Sequence, residues 1–493
     1  MLREGPKQTK LLYGPAIYEM TIPEDHYFRK LDDCFDWKRA DARCRHLYSE
    51  NLGRPVKNFP RIMFKTEVLQ FMYNWTDREV REQARYNIAV KWFLELGLDE
   101  EPFDFTSLSK FRLKLGVKVH AELFLDVLSQ IKEAGFLDYE VQFIDTTAVE
   151  GNAAILGTKQ LIKKAGQLLL KGMEENKCEA PITFEKKESL QKTVEKAFNL
   201  LETASDIPEV EHNREVLKSI LEDYIEITDG KVKERKKKGK NRIVNVFDED
   251  VRWGAKSNDE MWAGFKIGFP MTRNRFVTDL LSTSACVTDE TFAIPLYEQQ
   301  ALKPSTMIGD GAFGTGKNRR YFKENNCNLV APLRGQQNPT KLYSKELFLH
   351  DGKRVTCPGK KVTEKYTINK KTHAKIYRFD EHDCQNCSLK PQCTTGKYRT
   401  ITISCYQEEF DEAEKFNATP EYKALMKERP LIESKNAEVK HPHGLNRARY
   451  RGTYRMTIQA LLTMIVVNLK NFIRLLMKAQ NPPTERTLSI PNG

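Results

Sequence analysis

Two aspartates interrupt short β-prone apolar runs: Asp145 within Val141-Gln142-Phe143-Ile144-Asp145-Thr146-Thr147, and Asp310 within residues 306–313. A carboxylate inside an apolar strand is costly unless it is paired or ligates a cation, so both are candidates for function. The two runs belong to a longer order. Strand patterns cover 141–147, 262–272 and 276–287, a helix pattern covers 290–300, and strand, helix and strand patterns follow at 306–313, 317–326 and 328–333. Period-two runs alternating with helical segments in this way predict a mixed α/β layer architecture, with Asp145 in its first strand and Asp310 in its fourth.

The flanking sequence has a different character. Residues 1–135 show apolar positions at three- and four-residue intervals, the mark of helices. A helix start is expected at Asp104–Arg112 with Thr106 or Ser107 as its N-cap. Lys110, Arg112, Lys114 and Lys118 lie on or after it. A helix-turn-helix reader of DNA fits this pattern, and so does a helical bundle with solvated lysines. The expected organisation is a helical DNA-binding domain (1–135), a first core segment (136–157), a charged helical insertion ending in a basic loop (158–245), a second core segment (246–335), a Cys-rich insertion (336–415), C-terminal helices completing the core (416–480) and a tail (481–493).

The 493 residues carry a formal charge of +12, which fits a polyanionic partner because Lys and Arg neutralise phosphates and release counterions. No apolar segment of the secretory kind stands at residues 1–10. The most apolar run, 456–469, falls short of the roughly 18 residues a membrane span needs and is expected to be a core helix. A cytoplasmic, nucleoid-associated protein with reduced thiols and no membrane partner is therefore expected.

Phosphodiester chemistry needs attacking and leaving oxygens held in line with charge neutralised at both, and two Mg²⁺ (or Mn²⁺) ions held by carboxylates meet that need. Asp145 and Asp310 would be two of the ligands. For a third, Pro430 suits the first position of a helix, which places Glu433 in the first turn and Lys440 seven residues on (440 − 433 = 7), two turns along the same face. A hydrogen-bonded strand Asp and a solvated Glu/Lys helix would share these patterns. Arg447, Arg449, Arg451 and Arg455 form a basic stripe suited to phosphates, and His441 and His443 read as surface or DNA-contact residues. The glycines of 309–317 lack the spacing of a phosphate-binding loop.

Cys384-x-x-Cys387 and Cys393 lie in a polar, hairpin-like stretch, with Cys357 upstream as the best fourth ligand and His382 in reserve. Two thiols spaced to chelate from one turn, with a third nearby, suit tetrahedral Zn²⁺ in a closed, structural site; unligated reduced thiols are the other reading.

Several stretches together resemble the DDE transposases of prokaryotic insertion sequences, specifically the eleven-eighty-two group of the broad IS-four-like superfamily. They are Ile22–His26, Gly53–Pro55, Thr76–Glu79, Arg85–Asn87, Leu108–Arg112, Phe143–Thr147, Asp248 through Arg252–Gly254, Gly264–Lys266, Ile308–Gly311, Glu433 with Lys440, and His443–Leu445 with Arg447–Gly452. They span nearly the whole chain in family order. The resemblance implies an RNase H-like core with Asp145, Asp310 and Glu433 as its triad, and the same cysteines recur within the family's insertion. Arg429, Glu433 and Lys440 match three elements of the superfamily's Tyr-Arg-Glu-Lys signature, with Met426 at the Tyr position and Tyr422 one turn away. Asn436 and Ala437 stand where an aromatic and a Gly are usual, and Gly268 where a His is common. The implied function is binding of the element's terminal inverted repeats followed by metal-dependent cleavage and strand transfer, with a homodimer joining two ends. A transposase-derived DNA-binding protein and an RNase H-like nuclease are the rival expectations.

Overall fold

The computed structural model describes residues 14–49, 56–178, 180–236, 239–256, 259–333, 343–344 and 347–480. Gly53–Pro55, Lys237 and Lys238 of the basic run, and the tail 481–493 lie outside the described residues. The chain forms two compact units, one of residues 1–303 with 430–493 and one of residues 304–429. Together the elements make a mixed α/β protein.

In the larger unit, helices Gly14–Thr21 through Thr106–Glu133 form the N-terminal part. Helix Pro60–Met72 is buried almost all round, polar residues included. Its charges are therefore paired: Lys65 meets Asp32 at 2.7 Å and Glu95 at 3.1 Å, and Arg61 meets Asp41 at 2.7 Å. Thr76 and Glu79 close a reciprocal capping box at the start of helix Asp77–Tyr86, which accounts for that stretch of the motif. Helix Thr106–Glu133 starts where the sequence predicts. Its first acceptor is Asp104, however, whose Oδ1 takes the Thr106 N–H at 2.9 Å, so neither Thr106 nor Ser107 is the cap. Gly116 breaks this helix with φ of 63°, and a side chain there would run into the Tyr454 hydroxyl.

Strand Val141–Glu150 pairs antiparallel with Met261–Thr272, in a register running from Gln142↔Thr272 to Glu150↔Gly264. Strands Arg252–Ala255 and Leu281–Ser284 also pair with Met261–Thr272. The strand expected over 276–287 is confined to Leu281–Ser284. Val277 adds one isolated bridge to Met271, and the Asn468 amide takes its N–H (2.9 Å) and C=O (2.8 Å) on the other side.

Residues 158–236 give helices Thr158–Glu175, Leu190–Thr203 and Glu211–Tyr224 around their own apolar core, which includes Leu161, Leu169, Leu200 and Leu217. The basic run that follows begins as a hairpin, Ile225–Thr228 with Lys231–Glu234, rather than as a loop. Helix Thr453–Gln480 is long and apolar enough to cross a membrane but is mostly buried, packing on Pro60–Met72, Thr106–Glu133 and Leu281–Ser284 as a core helix.

In the smaller unit, Thr306–Ile308 and Asn328–Val330 pair in parallel, with helix Gly316–Glu324 between them in sequence. The strand expected over 306–313 ends at Ile308, because Asp310 folds back on its own turn. Two three-stranded sheets of very short strands follow, Leu349–His350/Val355–Thr356/Val362–Thr363 and Tyr366–Ile368/Lys375–Arg378/Thr400–Ile403. Helices Gln407–Asn417 and Pro420–Glu428 complete the unit.

Candidate functional site

Asp145 sits midway along its strand, half-buried, just after the fully buried Phe143 and Ile144. Its Oδ1 accepts the Thr146 N–H at 2.8 Å, and its Oδ2 accepts Asn436 Nδ2 at 2.8 Å. Asn436 belongs to helix Pro430–Lys440, whose start at a proline matches the sequence expectation. Glu433, Asn436 and Lys440 share one face of that helix by their three- and four-residue spacing. The Asn436 contact therefore lays this face against the Asp145 strand. Glu433 is exposed on it. Burial pushes the Lys440 ammonium below its ordinary value, Lys256 pushes it further, and Asp145 and Glu260 oppose the shift, which puts Lys440 within electrostatic reach of Asp145. Asn436 Oδ1 is buried with no hydrogen-bond partner among the described residues. Sequence reasoning noted Asn436 only as a departure from the family pattern.

A second layer braces the strand. Thr146 Oγ1 donates to Asp289 Oδ1 at 2.8 Å, and the nearly buried Lys266 donates to the same oxygen at 2.8 Å and to the Val287 carbonyl at 2.8 Å. Gly264, Lys266 and Gly268 thus have separate local reasons. A Cβ on Gly264 would strike the Val149 carbonyl, and one on Gly268 would enter the Phe292 ring. Asp248 and Asp250 receive the N–H groups of Gly452 (3.1 Å) and Thr453 (2.7 Å), joining two distant stretches of motif at the N-terminus of helix Thr453–Gln480, where a carboxylate is favoured.

In the smaller unit Asp310 lies two residues beyond the carboxyl end of Thr306–Ile308. Its Oδ1 takes the Ala312 N–H at 2.7 Å, and Gly309 N–H donates to Val330 O at 3.0 Å. The mouth at the carboxyl ends of parallel strands is where open α/β sheets hold ligands. Arg429 caps helix Pro420–Glu428.

The basic residues divide by burial. Lys110, Arg447 and Arg451 are exposed. Arg112 is 5% exposed; it donates to Gln70 Oε1 at 3.0 Å, pairs with Asp77 and lies over the Tyr450 ring. Arg449 turns inward to the Trp75 carbonyl (2.7 Å) and Asn74 and lies over Phe71. His443 is fully buried rather than at the surface, with Nδ1 at 2.9 Å from Phe71 O, while His441 is exposed. Arg112 occupies the inward face of its helix with Leu108, Leu115 and Val119, a spacing that would have revealed it. Arg112→Ala is expected to lower unfolding free energy by about 3 kcal/mol, because Asp77 loses its cationic partner and keeps only the Gln70 amide. Denaturant unfolding measures this; an unchanged midpoint with weakened DNA binding would instead give Arg112 to the DNA.

Cys357, Cys384 and Cys393 pack against the apolar core of the two small sheets, and the Cys357 and Cys387 sulfurs flank Gly359 at 3.7 and 3.4 Å from where its Cβ would stand. Burial pushes the Cys393 thiol up, Arg399 opposes the shift, and Cys384, Cys357 and Cys387 add to it, which puts these thiols within electrostatic reach of Cys393. They are not in disulfides. Among the described residues, no group of three or more His, Cys, Asp or Glu stands in an arrangement ready to hold a metal ion.

Residues 16–114 match the Transposase domain (DUF772) family, and residues 356–473, which include Glu433 and Lys440, match the Transposase DDE domain family. A solved piggyBac transposase synaptic complex with hairpin DNA aligns over 97% of this chain and 84% of that one, at 9% identity and a TM-score of 0.20, too low to bear on the fold. Among curated proteins none matches the chain. The class these domain matches define is that of the transposases. The chain is an enzyme of the DDE transposase type.

Proposed function

We propose that the protein is the DNA transposase of an insertion sequence of the group it resembles, binding the terminal inverted repeats of its own element, cutting them and joining a 3′-hydroxyl to target DNA. The observation that carries this reading is the Asn436–Asp145 hydrogen bond, which sets the face bearing Glu433 and Lys440 against a half-buried strand carboxylate. In this reading the α/β part is an RNase H-like core interrupted by a helical and a Cys-bearing insertion, and Asp145, Asp310 and Glu433 are the triad.

The donor type fits hard divalent cations, which take carboxylate oxygens, and Asp145 is oriented by donors on both of its oxygens. Asp145, Asp310 and Glu433 are the residues that would hold two Mg²⁺ or Mn²⁺ ions, which would supply charge neutralisation at the reacting oxygens. Asn436 fixes the rotamer of Asp145, Lys440 and Arg429 hold phosphate near the cut, and exposed Lys110, Arg447 and Arg451 track the backbone. Joining two ends calls for at least two copies in the active complex.

The test is purified protein with labelled element ends, taken from the inverted repeats flanking the gene, in Mg²⁺ or Mn²⁺. Cleavage and joining support the reading. Tight end binding without cleavage in either metal would replace it with a transposase-derived DNA binder, and cleavage without joining would favour a nuclease. Asn436→Ala is expected to slow cleavage by roughly 10- to 100-fold and to raise the metal concentration needed, as for other outer-shell partners of metal ligands. A metal titration that superimposes on the wild type would remove Asn436 from this role.

A further inference from the structure

The opposite face of helix Pro430–Lys440 borders a cavity of about 480 Å³, lined by Lys435 and Glu438 with Arg275, Lys470, Asn471 and Arg474. Pockets of this volume hold small ligands or groups of them. Four cations meet one carboxylate, and that carboxylate is already engaged: Glu438 accepts from the fully buried Lys435 at 2.7 Å and lies 3.7 Å from Arg275.

The other two cations are held by neutral groups. His443 Nδ1 faces the Phe71 carbonyl at 2.9 Å; a carbonyl only accepts, so Nδ1 carries the proton and Nε2 offers its lone pair to Lys470 Nζ at 3.1 Å. Burial, reinforced by Lys470, pushes the His443 pKa down, which agrees with a neutral ring. Arg474 donates through Nη2 (2.7 Å) and Nε (3.3 Å) to Asn471 Oδ1, whose amide is itself fixed by the Asn274 carbonyl at 2.7 Å. The direct hydrogen-bond acceptors of these two cations are neutral, and Glu438, which also acts on Lys470, is the one carboxylate against four cations in the lining. A concave site with oriented donors and a surplus of positive charge suits an anion, and the planar guanidinium suits phosphate oxygens.

We propose that this pocket is a phosphate site, distinct from the carboxylate face of the same helix, that seats a backbone phosphate of bound DNA. The inference rests on the DNA transposase reading. One helix then touches DNA on two sides, which ties the position of Glu433 to a phosphate away from the cut.

The test measures binding of the full-length protein to a labelled linear duplex across a salt series. Lys470→Gln/Arg474→Gln is expected to melt like the wild type and to bind about fivefold more weakly at about 0.15 M salt, with a log–log salt slope shallower by about 1, the counterion release of one phosphate. An unchanged affinity and slope, with the wild type binding DNA normally, overturns the pocket and leaves the transposase reading intact. Should the wild type show no salt-dependent binding, the parent reading fails first and the pocket falls with it. Inorganic phosphate is the second probe: if it binds the wild type but not the double variant while DNA binding is equal in both, the site takes a free anion and the DNA assignment is overturned. Hydrogen exchange of the wild type covers the case of a misfolded variant. Residues 272–276 and 466–475 should gain protection when DNA is added, and no gain overturns the proposal.

Discussion

Asp145→Asn is expected to leave the protein folded and bound to its DNA ends while slowing cleavage by roughly 10³-fold or more, the rate equivalent of the several kcal/mol that metal-ion charge stabilisation supplies. The substitution is nearly isosteric, so the strand packing around Phe143 and Ile144 is untouched. The new Oδ1 can still accept the Thr146 N–H. The new Nδ2 would face the Asn436 amide donor, but Asn436 holds a buried Oδ1 with no partner among the described residues, and a flip of that amide presents it as the acceptor. Melting should therefore change little. The negative charge disappears, and with it the cation-holding role proposed for this residue. Asp310→Ala should give the same loss of cleavage. Single-turnover cleavage in Mg²⁺, beside a melting curve and an end-binding measurement on the same preparation, separates the outcomes. Wild-type cleavage by Asp145→Asn would remove this residue from the catalytic set.

Much of the frame around Asp145 was legible in the sequence, because the signals there are local. A carboxylate flanked by Phe143 and Ile144 marks a strand, and Pro430 marks a helix start three residues before Glu433. Asp310 stands out in the sequence, but its setting does not. Its carboxylate captures the Ala312 N–H, a side-chain-to-backbone bond that competes with the ladder and ends the strand at Ile308. Other errors came from partners far away in sequence. Asn436 meets Asp145 across 291 residues, and His443 meets Phe71 across 372, and no spacing rule reports such pairs. The alternating arginines 447, 449 and 451 read as one basic stripe, yet Arg449 turns inward because Trp75 and Asn74 offer it oxygen acceptors.

The Cys-bearing region should depend on a bound metal for its fold. Its sheets are built from strands of two to four residues, and its core consists of Phe348, Val355, Tyr377, Phe379, Ile401 and Ile403 with a fringe of partly buried neighbours. A core of that size is small for the loops it must hold, and small cores of this kind are commonly stapled by a metal or disulfides. The four thiols are not in disulfides; Cys357, Cys384 and Cys393 pack against this core, and the Cys357 and Cys387 sulfurs flank Gly359. The Cys357 turn is already tight: its N–H donates to Lys361 O and its C=O accepts from Lys360 N–H, both at 2.8 Å, with Lys360 at φ of 58°. The expected result is about one zinc per chain in purified protein, lost in Cys384→Ser and Cys387→Ser. A strong chelator should then collapse hydrogen-exchange protection across residues 347–404, since structural zinc contributes on the order of 10 kcal/mol to small domains. Protection of 141–150 and 261–272 in the other unit should persist, which distinguishes loss of the staple from general unfolding. Full protection of 347–404 in protein shown to be metal-free would mean that the apolar core suffices and the cysteines are ordinary thiols.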